Sequence, residues 1–147
     1  MRYLNKIVFI NSAAIRYSEV QLDGNIHLIG TQGVGKSTIL RAILFFYNAD
    51  TQRLGIPVEK KSYQDYYFPY ADSSIIYEVA REDGWFTVLS YKTMNRICYR
   101  FIASPYRPDL FIDEEGAPYP SDRIRSVLDK NGIKSVSYTH LTLPTIA

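Results

Sequence analysis

The chain has 147 residues, 46% of them hydrophobic and 22% charged, and its 17 Lys and Arg against 15 Asp and Glu leave a net charge of +2. That length suits one domain or a piece of one, at roughly 100–200 residues per domain, and so small a net charge does not by itself point to nucleic acid or membrane. The single Cys98 excludes an internal disulfide and fits a reducing compartment, while the absence of a signal-peptide pattern or of an apolar run near the about 20 residues that span a bilayer makes cytoplasm the expected location. In chain order, the first elements are two candidate strands, Lys6 to Ile10 and Ile15 to Leu22. Asp23-Gly24 follows as a hairpin turn signal. Asn25 to Ile29 is a short, mostly apolar run of the kind a buried strand shows, and His27 within it has no neighbour at metal-ligand spacing.

That run enters Gly30, Thr31, Gln32, Gly33, Val34, Gly35, Lys36, Ser37 and Thr38, which match the P-loop pattern G-x-x-x-x-G-K-[ST] at every required position. The residue types have a shared chemistry. Gly30, Gly33 and Gly35 allow tight turning and close approach to a phosphate. Successive backbone N–H groups of such a loop form a concave anion site. Lys36 can reach the β- and γ-phosphates of ATP, the Ser37 hydroxyl can complete a Mg²⁺ shell, and Thr38 adds a donor in the first helical turn. Ser37 to Tyr47 reads as a helix apolar almost all the way round, hence buried on most sides. Nucleotide binding by residues 30–38 is the expectation, against the alternative of a Gly-rich turn leading into an ordinary core helix.

From Leu4 to Asn48 the chain resembles the opening of the head domain of SMC-like and Rad50-like coiled-coil ATPases of the ABC type. The likeness rests on "KIVFIN", "VQLDGNIHLIG", the P-loop and "STILRAILFFYN", with two strands ahead of the loop. Tyr66 to Val79, "YYFPYADSSIIYEV", narrows it towards bacterial condensin-like ATPases of the MukB/MksB or Wadjet JetC type. The resemblance implies an α/β P-loop NTPase: a partial ABC-type head lobe, residues 1–134, with a central P-loop helix and a largely antiparallel covering sheet. It also implies ATP and Mg²⁺ as ligands, and a second head joined by nucleotide-sandwiched dimerisation. In the complete protein, ATP hydrolysis would be coupled to DNA or chromosome organisation, or to plasmid defence. Where many members carry a basic residue after the first strand, this chain has Ser12, Ala13 and Ala14; Arg16 reads as an exposed strand residue.

Residues 51–72 read as an irregular excursion, with Gly55, Pro57 and Pro69 as breakers and Lys60-Lys61 as a solvated corner. Tyr66, Tyr67, Phe68 and Tyr70 read as a cluster packed on a sheet, not a base-stacking platform. The other tyrosines, of thirteen in all, read as amphipathic edges of a wet surface. From Ser74 the period becomes two. Ser74 to Ala80, Trp85 to Tyr91 and Arg96 to Ile102 are expected to make an antiparallel meander, with Cys98 a buried structural thiol.

Leu110-Phe111-Ile112-Asp113-Glu114 imitates a Walker B strand, whose Asp would hold Mg²⁺ and whose Glu would orient water. Pro108 truncates it, Glu115-Gly116-Ala117-Pro118 reads as a turn, and no signature motif precedes it, so Asp113 and Glu114 are expected to be turn carboxylates. Gln52 and Gln64 offer no assignable Q-loop. Ser121 is the expected N-cap of a helix over Asp122 to Lys130, ended by Asn131-Gly132. Residues 135–147, "SVSYTHLTLPTIA", resemble translated sequencing-adapter read-through and are read as a non-native tail, which would make the chain a fragment; a genuine C-terminal strand is the alternative. Without a Walker B pair and signature motif, such a fragment is expected to bind nucleotide at best weakly and not to turn it over. Two other readings stay open: a small P-loop phosphotransferase, and a non-catalytic assembly fragment.

Overall fold

The computed structural model of the chain describes residues 3–13, 15–22, 39–43, 66–93 and 96–138. Among the described residues six strands form in chain order: β1 (Tyr3–Ser12), β2 (Ile15–Gln21), β3 (Ser74–Arg81), β4 (Gly84–Thr93), β5 (Arg96–Ile102) and β6 (Ser135–Tyr138). They join in one sheet of order β2-β1-β3-β4-β5-β6, and every neighbouring pair is antiparallel. A 3₁₀ turn (Pro108–Leu110) and a helix of about three turns, α1 (Ser121–Lys130), follow the meander.

Register explains why β1 and β3 are nearly continuous apolar runs. Ile7 lies opposite Val20 on one side and Tyr77 on the other, and Phe9 lies opposite Ile75. These side chains share one face with Val79, Val88 and Tyr99. The intervening residues Val8, Ile76 and Leu89 point to the other face. Since side chains alternate across a strand, a strand covered on both faces has no polar set to show.

The two coverings differ in origin. The first face is closed by helical residues 39–43, through Ile39 and Ala42, and by Tyr67 and Phe68. The second is closed by Leu110 and Phe111 of the 3₁₀ turn and by Ile124 and Leu128 of α1. α1 begins one residue earlier than Ser121 as N-cap would place it: Pro120 is the N-cap, with no side-chain cap bond. Its end is as the sequence predicts. Asn131 is the C-cap, and Gly132 takes the left-handed φ of 71° that a helix stop favours.

The α/β class with a central P-loop helix is corrected by this architecture. The described residues build an antiparallel six-stranded sheet with only short helical stretches against its faces. The reason lies in the connections. β3 returns to β4, and β4 to β5, through turns of a few residues, and such turns permit only antiparallel pairing, whereas parallel strands need long crossovers. Three tyrosines outside the Tyr66–Tyr70 cluster also depart from a wet-surface reading: Tyr77, Tyr99 and Tyr106 are buried. The expected boundary at residue 135 coincides with the start of β6, which pairs with β5 from Ile102↔Ser135 to Tyr99↔Tyr138; residues 139–147 lie outside the described residues.

Candidate functional site

The predicted phosphate-binding residues Gly30, Thr31, Gln32, Gly33, Val34, Gly35, Lys36, Ser37 and Thr38, including the Mg²⁺ ligand Ser37, lie outside the described residues. So do His27, Gln52, Lys60, Lys61, Gln64 and His140. What is described begins at the next position. Residues 39–43 are helical, with Ile39 and Ala42 fully buried against the first face of the sheet. The Tyr77 hydroxyl of β3 donates to the Ala42 carbonyl oxygen at 3.0 Å, a buried bond that ties this stretch to the centre of the sheet.

At the far end of β1 the chain turns tightly into β2. Asn11 and Ala13 both take positive φ, 45° and 50°. That region costs a residue with a side chain of order 1–3 kcal/mol, and such outliers gather at sites where geometry is over-determined. Between them Ser12 is 0% exposed and its hydroxyl has no hydrogen-bond partner. A second segment braces the turn: the Ser73 hydroxyl donates to the Asn11 carbonyl and accepts from the Tyr70 N–H. A cavity of about 430 Å³ opens here, lined by Asn11, Arg16, Tyr66 and Tyr70 among others. Arg16 is exposed, as its strand position predicts. Tyr67 and Phe68 are buried in the sheet's core and Tyr66 packs edge-on against Tyr67 at 4.9 Å, so this cluster is packed on the sheet as expected.

On the second face a polar network crosses β2, β1 and β3. Glu78 is only 6% exposed. Its two carboxylate oxygens accept from Asn5 Nδ2 and from the Tyr106 N–H, both at 2.7 Å. Gln21 Nε2 donates to the Asn5 side chain at 3.1 Å and to its backbone oxygen at 3.2 Å. Lys6 pairs with Glu19 at 3.4 Å and sits 5.6 Å from the centre of the Tyr106 ring. The Tyr17 hydroxyl donates to Glu19 at 2.7 Å and lies 2.8 Å from the Tyr106 hydroxyl. Burial is the main cause that pushes the Tyr17 phenol up to about 12, with Glu19 adding to it. Burial likewise pushes Tyr106 up, reinforced by the contact with Tyr17. Both phenols therefore stay protonated near neutral pH and act as hydrogen-bonding groups, not as bases.

The Walker B look-alike resolves as a turn. Leu110 closes the 3₁₀ turn, and Ile112 donates its N–H to the Pro108 carbonyl oxygen and makes an isolated bridge to Pro118. Asp113 Oδ1 accepts from the N–H groups of Glu115 and Ala117, each at 2.9 Å, so this carboxylate shapes a hairpin instead of facing a metal. Gly116 takes the φ of 84° that the turn requires. A larger cavity, about 690 Å³, lies between this hairpin and the β1–β2 turn. Cys98 is a buried thiol outside any disulfide, as its strand position predicts. Among the described residues no group of His, Cys, Asp and Glu has the arrangement to hold a metal ion, and no helix is long and apolar enough to cross a membrane.

The sequence reading missed Glu78 and both cavities. Glu78 carries a weak signal, a lone carboxylate on an apolar strand between Tyr77 and Val79. The cavities carry none, because their walls come from segments about fifty to a hundred residues apart in the chain.

Residues 11–141, most of the chain, match the sequence profile of a family described as a protein of unknown function (DUF3584). No curated protein and no solved structure matches the chain.

Proposed function

The chain belongs to the DUF3584 family of proteins of unknown function, and from that premise we propose that it binds ATP with Mg²⁺ through residues 30–38 as the N-terminal head segment of an SMC-like ATPase. The reading is carried by one join. A complete G-x-x-x-x-G-K-S sequence runs directly into residues 39–43, which are helical and buried through Ile39 and Ala42. P-loop chemistry asks for a helix in that place, because the loop's backbone amides and the helix N-terminus act together on phosphate. Lys36 would supply a compact positive charge to the β- and γ-phosphates, and Ser37 a hydroxyl to the cation. Mg²⁺, when bound, would neutralise charge on the phosphate oxygens.

The rest of the proposed cycle belongs to a larger assembly. Two heads would enclose two nucleotides, and hydrolysis would be coupled to DNA organisation or to plasmid defence. Asp113 is occupied in a turn, and among the described residues there is no strand ending in an Asp-Glu pair. This chain alone is therefore expected to bind nucleotide at best weakly and not to turn it over.

Titration calorimetry of the chain with ATP and Mg²⁺ tests the reading. Lys36→Ala is expected to weaken binding by about tenfold or more, the scale of one lost charge-assisted contact. Ser37→Ala should weaken it only when Mg²⁺ is present. Equal affinity before and after Lys36→Ala would remove residues 30–38 from the site.

A further inference from the structure

The 690 Å³ cavity between the β1–β2 turn and the Asp113–Ala117 hairpin has the size of a small-ligand site. Its apolar lining comes from Ile10 at the end of β1 and from Ile112 and Pro118 at the base of the hairpin. Its charged lining comes from two segments: Arg16 on β2 and Glu115 on the hairpin. These two opposite charges line one cavity without pairing to each other, and neither side chain has an ion-pair or hydrogen-bond partner among the described residues.

Both walls are held in place before any ligand arrives. The hairpin that carries Glu115 is closed by the two bonds to Asp113 Oδ1 and by the bond from Gly116 N–H to the Asp113 carbonyl at 3.0 Å. Gly116 presents no side chain, and nothing lies within 4 Å of where its Cβ would stand. On the other wall Tyr17, the neighbour of Arg16, is fixed through its hydroxyl by Glu19 and Tyr106. A cavity with rigid walls loses little ordering entropy when it is filled.

We propose that this cavity binds a zwitterionic ligand with an apolar body, of the class of a short hydrophobic peptide, its carboxylate toward Arg16 and its ammonium toward Glu115. The guanidinium offers planar, paired donors that match a carboxylate. Glu115 offers the complementary acceptor to an ammonium group. Ile10, Ile112 and Pro118 receive the aliphatic side chains, whose burial provides most of the affinity. A ligand of single charge would meet one favourable and one unfavourable rim, so the pair of rims selects for both charges together.

The test is a titration of the ¹⁵N-labelled chain with the dipeptide Leu-Leu, followed by amide NMR, beside its N-acetyl and its C-terminal amide forms. Leu-Leu is expected to bind in the millimolar range and to shift Ile10, Tyr17, Ile112 and Gly116. Each capped form, and each of Arg16→Gln and Glu115→Gln, should weaken binding by about threefold to fivefold, as exposed charge contacts do. The N-acetyl form should bind Glu115→Gln and the unaltered chain alike, and the amide form should bind Arg16→Gln and the unaltered chain alike. Those matched losses tie each ligand charge to its own residue. No shift at millimolar Leu-Leu, shifts confined to other residues, or equal affinity for the capped and uncapped dipeptides would each overturn the proposal. Because both substitutions are at exposed positions, their amide spectra should otherwise match that of the unaltered chain.

Discussion

On one face of the sheet, Ile7, Phe9, Ile75 and Tyr77 meet Ile39, Ala42, Tyr67 and Phe68; on the other, Val8, Ile10, Ile76 and Leu89 meet Leu110, Phe111, Ile124 and Leu128. In the first contact the Tyr77 hydroxyl donates to the Ala42 carbonyl oxygen of the helical residues. The second is reinforced by a polar network, in which Glu78 reaches Asn5 on β1 and the Tyr106 backbone above the sheet. The difference follows from what each covering is made of. Helical residues satisfy their own backbone hydrogen bonds, so they can sit on an apolar face without further polar partners. The irregular segment 103–119 cannot do so throughout, and its backbone needs acceptors and donors from the sheet. Thr87 supplies one more, donating to the Ser104 carbonyl oxygen at 2.7 Å.

The comparison can be broken by substitution. Phe9→Ala, at a fully buried position of the first face, is expected to cost about 4 kcal/mol in urea unfolding. Leu128→Ala, which removes a smaller side chain from the second face, should cost about 3 kcal/mol. Equal sensitivity of both faces to loss of a buried apolar group would be the outcome if packing alone held them. The polar contribution is isolated by Glu78→Ala, expected to cost about 2–3 kcal/mol because two donors lose their acceptors in a buried place. Glu78→Gln keeps one acceptor oxygen and should cost about half as much on the same reasoning. If Glu78→Ala unfolds at the same urea concentration as the unaltered chain, the network does not hold segment 103–119 down.

A smaller effect distinguishes the faces by pH. Tyr17 and Tyr106, both at the second face, have phenols raised above the ordinary value near 10. The folded chain therefore holds these protons more tightly than the unfolded chain does. Their contribution is fully present below about pH 10 and is lost as pH rises towards about 12, the value for Tyr17. Tyr17 is 40% exposed, so its share is reduced by solvent. Urea midpoints measured from neutral to alkaline pH should fall in that window. The double change Tyr17→Phe, Tyr106→Phe should flatten the fall without removing it, since buried Tyr67 and Tyr99 are also raised. An unchanged slope in the double variant would assign the alkaline loss to the first face alone.

Much of this was legible in particular residues. The alternation from Ser74 onward placed β3, β4 and β5 within a residue or two, and Glu82-Asp83-Gly84 marked the turn where Gly84 takes a φ of 140°. Pro108 and the Glu115–Pro118 stretch were enough to remove Asp113 from a metal-binding role. The α/β class was not a safe extension of the P-loop motif. A motif of nine residues carries phosphate chemistry in its own backbone and side chains, but it does not state how strands elsewhere in the chain will pair.

Local pattern by itself determined where strands begin and end, where the chain turns, and which nine residues match the pattern of a phosphate-binding loop, because each of these depends on neighbours a few positions away. Only the tertiary structure decided that β1 lies between β2 and β3, that Glu78, Tyr77, Tyr99 and Tyr106 are buried, and that Arg16 and Glu115 line one cavity. Those outcomes depend on which distant residues are brought into register, and sequence periodicity holds no record of the partner across a sheet.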